Sequence, residues 1–321
     1  MYRSQRVLVL GASGFIGRWV ARALTSAGAT LVLVDRDAKR AEAICNAYEI
    51  RGEFLAADLA APGTMDQLLS HARPDITFNL AGYGVDSAER NAALAEALNT
   101  ILVSEVARAV VAQPATDWRG QRLVHVGSAA EYGNVDGPVN ESSPENPHSE
   151  YGRTKLAGTC VLASAIKASG LRAICARLFT VYGPGEHPGR LLPSLLDAAR
   201  TKKMMPLTAG EQRRDFVYVG EVAEALLRLG CVEGPAPAIV HVATGTLSSV
   251  RAFAECASEL LRMEPGQLQF GALPYRGDEL HQGPVATRLL EQCTGWKPTM
   301  AVRDGIRETI AFESRRCGVI A

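Results

Sequence analysis

The sequence predicts an α/β fold, a doubly wound parallel sheet followed by a smaller mixed C-terminal domain. Three observations carry this expectation. Short apolar runs alternate with helix-like stretches through the first half of the chain; a glycine-rich turn joins the first run to the first helical stretch; and the texture changes after Gly183, where Pro184, Gly185, Pro188 and Gly189 crowd together. Regular alternation of strand and helix requires parallel strands with crossover helices on both faces of one sheet.

Residues 6–10 form an apolar run stopped by glycine, 18–27 have helical spacing, and 31–34 form a second run closed by Asp35. That is strand, helix, strand in about thirty residues. Further runs at 76–80, 123–126 and 173–178 are separated by helix-like stretches around 91–112 and 151–168. Beyond them, 190–201 read as a helix and 215–219 and 239–243 as strands. At ~150 residues per domain the chain holds two units. Residues 1–182 are expected to form a Rossmann domain, with segments near 215–245 returning to it, and 183–321 to form most of a second domain.

With 47% hydrophobic and 21% charged residues, the chain has the balance of a folded protein. Its 34 basic and 34 acidic side chains cancel, so no overall field steers it to nucleic acid or an anionic membrane. Any phosphate binding must be local. Seven cysteines stand singly, without a C-x-x-C pair or a His/Cys cluster at metal-ligand spacing; reduced thiols and no metal site are expected. The opening MYRSQRVLVLG runs straight into a strand, and there is no apolar run of ~20 residues. A soluble, cytoplasmic protein is the expectation.

The loop Gly11-Ala12-Ser13-Gly14-Phe15-Ile16-Gly17 lies between strand and helix, where a dinucleotide pyrophosphate needs backbone rather than side chains. Glycines permit the tight turn, the approach of phosphate oxygens and close packing of helix on strand, while the helix N-terminus supplies N–H donors. Asp35, closing the second strand, can accept hydrogen bonds from both ribose hydroxyls of NAD and would repel the extra phosphate of NADP. The adjacent Arg36 could grip that phosphate, so NADP stays open. Asp58 and Leu59 follow a third apolar stretch and could bracket the adenine, or Asp58 could cap a turn.

Tyr151-Gly-Arg-Thr-Lys155 places Tyr and Lys at i and i+4, on one face of a helix. An ammonium beside a phenol stabilises the phenolate and lowers a pKa that is otherwise ~10. Tyr151 could then exchange a proton with a substrate oxygen while hydride moves to or from a nicotinamide. Ser128 ends the strand LVHVGS and emerges at the carboxyl edge of the sheet, where its hydroxyl could hold the same oxygen. Asn99, in the preceding helical stretch, is either a polar residue near the cofactor or one satisfied within the fold.

These motifs resemble the extended short-chain dehydrogenase/reductases, in particular the nucleotide-sugar epimerase/dehydratase branch, over almost the whole chain. Beyond GASGFIG and YGRTK the likeness includes NLAG (79–82), GSAAEYG (127–133), ARLFTVYGPGE (176–186), EQRRDFVYVGEVAEAL (211–226), YRGDEL (275–280) and GWKP (295–298). The resemblance implies a bound NAD, a nucleotide-sugar substrate and a homodimer. It places Ala81 of NLAG at the cofactor, Arg214 and Arg276 on the substrate diphosphate, and Thr180 where the family usually has asparagine. The 4,6-dehydratases of this branch carry an Asp-Glu pair directly after the hydroxyl residue; here those places hold Ala129 and Ala130, so elimination lacks its acid and base.

Hydride chemistry without elimination remains. The first expectation is an NAD-dependent 4-epimerase of a nucleoside-diphosphate (NDP) hexose, passing through a 4-keto intermediate. The alternative is an NAD(P)H-dependent reductase of an NDP-4-keto-6-deoxyhexose, which GSAAEYG and Arg36 suit. Further off stand a short-chain dehydrogenase of a non-sugar substrate and a dinucleotide-binding protein without catalysis.

Overall fold

A computed structural model describes residues 1–85, 89, 91–275, 279 and 281–316. In chain order the elements are β1 (Arg6–Leu10), α1 (Phe15–Ser26), β2 (Thr30–Asp35), α2 (Ala38–Asn46), β3 (Glu53–Ala56), α3 (Thr64–Ala72), β4 (Ile76–Asn79), α4 (Ala92–Glu96), α5 (Leu102–Ala112), β5 (Leu123–Ser128), α6 (Glu150–Ser169), β6 (Ala173–Leu178), β7 (Thr180–Tyr182), α7 (Leu191–Thr201), β8 (Met205–Leu207), β9 (Arg213–Tyr218), α8 (Val219–Gly230), β10 (Ile239–Val242), β11 (Leu247–Ser249), α9 (Val250–Leu260), β12 (Leu268–Phe270), α10 (Arg288–Thr294) and α11 (Val302–Arg316).

The large sheet has seven strands in the order β10-β6-β5-β4-β1-β2-β3, all parallel. Both faces are covered, which is why its strands read as unbroken apolar runs rather than alternating ones. On β1, Val7 and Val9 point into one apolar cluster with Val20 and Leu24 of α1 and Leu226 of α8. Leu8 and Leu10 point the other way, onto Leu69 of α3 and Val106 of α5. Truncating a leucine at either position to alanine should cost ~2–5 kcal/mol.

Of the two segments near 215–245, Ile239–Val242 joins the large sheet beside β6. Arg213–Tyr218 does not; it pairs with β7 and β11 in a separate three-stranded sheet. The stretch 91–112 also differs from a single helix, since a π-helical turn at Ala97–Ile101 separates α4 from α5. Such turns often mark sites where one helix must approach another closely. Here the Asn99 carbonyl lies so near α6 that a Cβ on Gly158 would come within 2.0 Å of it. No helix among the described residues is long and apolar enough to cross a membrane.

Candidate active site

The loop from Gly11 to Gly17 leaves β1 beside β4, where the order of strands reverses direction and where ligands of such sheets sit. Gly11 has φ 77°, and a Cβ there would lie 3.0 Å from the Ala81 backbone. Gly17 is bound more strictly to glycine, because a Cβ would stand 2.1 Å from the Gly11 carbonyl oxygen. Gly14 is the N-cap of α1, with no side-chain cap and no acid in the first turn, so the helix N-terminus is open to an anion. Phe15 and Ile16 pack their side chains against the core and leave backbone towards the crevice.

The Ser13 hydroxyl donates to Asp35 Oδ2 at 2.5 Å, joining loop and β2. Arg36, beside it, is exposed. Asp58 is exposed too, and its Oδ1 accepts from the Ala60 N–H at 3.0 Å, a turn cap. Leu59 is buried in the core among the residues of α3 and β2. Asn99 is fully buried. Its Nδ2 donates to the Tyr83 carbonyl at 2.8 Å and to Thr154 Oγ1 at 2.9 Å, and its Oδ1 accepts from the Tyr83 N–H at 3.0 Å. Both donors are used inside the protein, so Asn99 ties the loop after β4 to α6 instead of offering its N–H groups to a cofactor.

That tie holds the loop against Tyr151, whose ring carbon Cδ2 lies 3.6 Å from where a Cβ of Gly84 would sit. Tyr151 stands in the first turn of α6, which is capped by Ser149 accepting from the Gly152 N–H at 3.0 Å. Ser128, at the end of β5, faces the phenol with its hydroxyl and favours the ionised form. Burial outweighs it and pushes the phenol up to about 12; Arg190 pulls down, while Glu131 and Glu89 push further up.

Lys155, one turn further along α6, is 3% exposed and donates to the Val126 carbonyl. Burial lowers its pKa while Glu131 opposes that.

A cavity of about 390 Å³ is lined by Thr180, Tyr182, Glu186, Arg190, Arg214 and Phe216 among others; it reaches Val85, next to the Gly84 that packs on Tyr151, and includes the Arg190 whose charge acts on that phenol. Its wall follows from strand register. Thr180 pairs with Phe216 and Tyr182 with Tyr218, and successive side chains on a strand point to opposite faces. Thr180, Tyr182, Arg214 and Phe216 therefore share one face of the small sheet. Asp215, between two of them, points away and accepts from the Thr244 and Gly245 N–H groups at 2.8 and 2.7 Å. Arg214 is ion-paired with Glu279 at the cavity edge. Arg276 lies outside the described residues.

Among the cavity residues that the sequence reading did not single out are Glu186 and Arg190. Glu186 falls in the Pro/Gly-rich stretch after Gly183, and Arg190 at the very start of the helix that follows. The Glu186 side chain is 7% exposed and lies 3.4 Å from Arg190 Nε. A larger cavity of about 540 Å³, among Trp19, Tyr48, Tyr218 and Phe312, contains none of the residues that face Tyr151.

A glycine loop at the reversal point, with a serine, tyrosine and lysine at the carboxyl edge of the same sheet, defines a short-chain dehydrogenase/reductase of the extended kind. The chain belongs to the NAD dependent epimerase/dehydratase family, whose model matches residues 7–243. It is 31% identical to a dTDP-6-deoxy-L-talose 4-dehydrogenase (NAD(P)(+)) of Kitasatospora kifunensis, with 96% of each chain covered. It is 28% identical to a UDP-glucose 4-epimerase of Mycolicibacterium smegmatis, covering 96% of this chain and 98% of that one. Among solved structures, MoeE5 in complex with UDP-glucose and NAD superposes with a TM-score of 0.83 at 25% identity, covering 97% of this chain and 99% of that one.

Proposed function

We propose that the protein binds NAD in the crevice at Gly11–Gly17 and exchanges hydride with C4 of an NDP-hexose held in the Arg190/Arg214 cavity. The observation that carries this is the facing pair Ser128 and Tyr151 beside a cavity with two arginines. Guanidinium forks match phosphate oxygens, and in a chain of zero net charge such local cations are what can hold a dianion.

NAD fits the residues present. Gly11 and Gly17 leave room that any Cβ would fill, α1 begins uncapped, and Asp35 is an acceptor for ribose hydroxyls. Bound NAD supplies the hydride acceptor or donor. Tyr151 gives a proton to, or takes one from, the substrate oxygen, and Ser128 holds that oxygen by a hydrogen bond. Ala129 and Ala130 offer no acid or base for elimination, and Glu131 is buried against Arg177, so dehydration is left out.

Net reduction of a 4-ketone, and its reverse, is the reading favoured here. The relative at 31% identity is named for a 4-dehydrogenase, and Tyr151 is a group that can give the ketone oxygen the proton that reduction needs. The 4-epimerase is the second reading, supported by Asp35, which suits a retained NAD, and by the likeness to a UDP-glucose 4-epimerase. Stoichiometry separates them. The first expects one NADH or NADPH oxidised per NDP-4-keto-hexose consumed. Interconversion of C4 epimers by the purified protein without added cofactor would establish the second instead, and neither activity on any NDP-hexose would sink both.

A further inference from the structure

Directly behind Ser128 lies a charged cluster that the reaction as described does not use. Glu131 and Arg177 are both fully buried. Glu131 Oε1 accepts from the Ser128 N–H at 2.7 Å, and Oε2 accepts from Arg177 Nε at 2.7 Å. The cluster is built around the carboxylate, since a Cβ on Gly127 would stand 2.7 Å from Glu131 Oε1. Arg177 also donates to Glu145 at 2.9 Å and lies 4.5 Å from the centre of the Tyr132 ring. Tyr132 in turn meets His241 of β10 at 2.7 Å.

We propose that Glu131 is a positioning residue for the proton transfer: its carboxylate, locked between the Ser128 amide and the Arg177 guanidinium, fixes Ser128 and sets a buried negative charge on the side of the site that faces Tyr151. This rests on the reading of Tyr151 as proton donor. The geometry ties Glu131 to the backbone that carries the Ser128 hydroxyl. The Ser128 backbone is pinned by Glu131 Oε1, and Ser128 Oγ accepts from the Ala130 N–H at 3.2 Å, which leaves its own hydrogen free to be donated on the side of Tyr151.

The charges facing Tyr151 come from several elements: Glu131 after β5, Glu89 in the loop after β4, and Arg190 at the start of α7. Glu131 itself is faced by Arg177 and Cys175 of β6 and by Lys155 and Tyr151 of α6. Behind Arg177 stand Glu145 and Tyr132, and Glu141 lies against His241. Burying an acid beside the phenol disfavours a second negative charge there, and the same acid favours Lys155 as an ammonium. With the carboxylate hydrogen-bonded to Arg177 and to the Ser128 amide, its place is fixed before substrate arrives.

Glu131→Gln keeps the shape and the acceptor for the Ser128 amide while removing the charge. Ultraviolet difference titration of tyrosinate, with Tyr151→Phe subtracted, should show Tyr151 ionising about one pH unit lower in this variant. The limb of kcat/KM against pH that belongs to Tyr151 should move by the same amount in the same direction. A fall in turnover at every pH with the Tyr151 ionisation unmoved would overturn the proposal, because that is what a merely structural residue does. Should Glu131→Gln fail to fold, Glu131→Asp keeps the charge but draws it back from the Ser128 amide, and a turnover and pH profile identical to wild type there overturns the proposal equally. The titration needs no substrate, so a shifted phenol in a protein that turns over no nucleotide sugar would count against the proposed activity alone.

Discussion

The crevice at the glycine loop and the cavity at the small sheet are made in different ways. The first is backbone: Gly11, Gly14 and Gly17 contribute by what they lack, and the Cβ-to-oxygen distance of 2.1 Å at Gly17 leaves no room for any other residue. The second is side chain, assembled from β7, β9, α7, α9 and Glu279, with the Arg214–Glu279 and Arg190–Glu186 pairs as its charged parts. A backbone site tolerates change in its neighbours but none in its glycines. A side-chain site can be retuned residue by residue, which suits a family whose members share a cofactor and differ in substrate.

Substitutions at the junction and in each region test that difference. Tyr151→Phe, where the two regions meet, should lower turnover by ~10³-fold with cofactor affinity nearly unchanged, because only the proton is lost. Residual activity within tenfold of wild type would show that another group carries the proton. Gly17→Ala should weaken NAD binding by ~100-fold, read by fluorescence titration, since the helix must move off the loop. Unchanged NAD affinity would break the contrast at its strongest point. Arg214→Ala should weaken nucleotide-sugar binding ~10- to 100-fold and leave NAD binding alone; equal losses for both ligands would remove the distinction.

The smallest effect concerns Glu186, whose carboxyl is pushed up to about 7 by burial, with Arg190 acting against it. The folded chain then holds a proton that the unfolded chain releases from about pH 4.5 upward, so stability falls as pH rises from 4.5 towards 7. Relative to Glu186→Gln, the wild-type unfolding free energy should drop by ~1–2 kcal/mol across that window. Parallel curves for the two proteins would mean that the acid is solvated or already ionised in the fold.

The glycine loop, Asp35 and the Ser128, Tyr151 and Lys155 positions could be read in advance because each depends on near neighbours in the chain. A loop between strand and helix, a strand end and an i,i+4 pair are local patterns. The electrostatics around them are not local. Glu131, in the turn after β5, meets Arg177 of β6, and Lys155 of α6 donates to the Val126 carbonyl of β5. The strand at Arg213–Tyr218 shows the same limit, since its apolar pattern fits a large or a small sheet equally and its pairing with β7 decides. Asp58 caps a turn and Asn99 spends its amide on Tyr83 and Thr154; no spacing rule separates such uses from ligand contact.

Isotope transfer tests the central claim most directly. Purified protein would be given an NDP-4-keto-6-deoxyhexose and nicotinamide cofactor carrying deuterium at the hydride position, and the product sugar examined by NMR. One deuterium at C4, made at a rate that Tyr151→Phe abolishes, is the result expected from a phenol and a serine facing that carbon. Deuterium at another carbon, or none in any NDP-hexose offered, would contradict the assignment of this site to the sugar's C4.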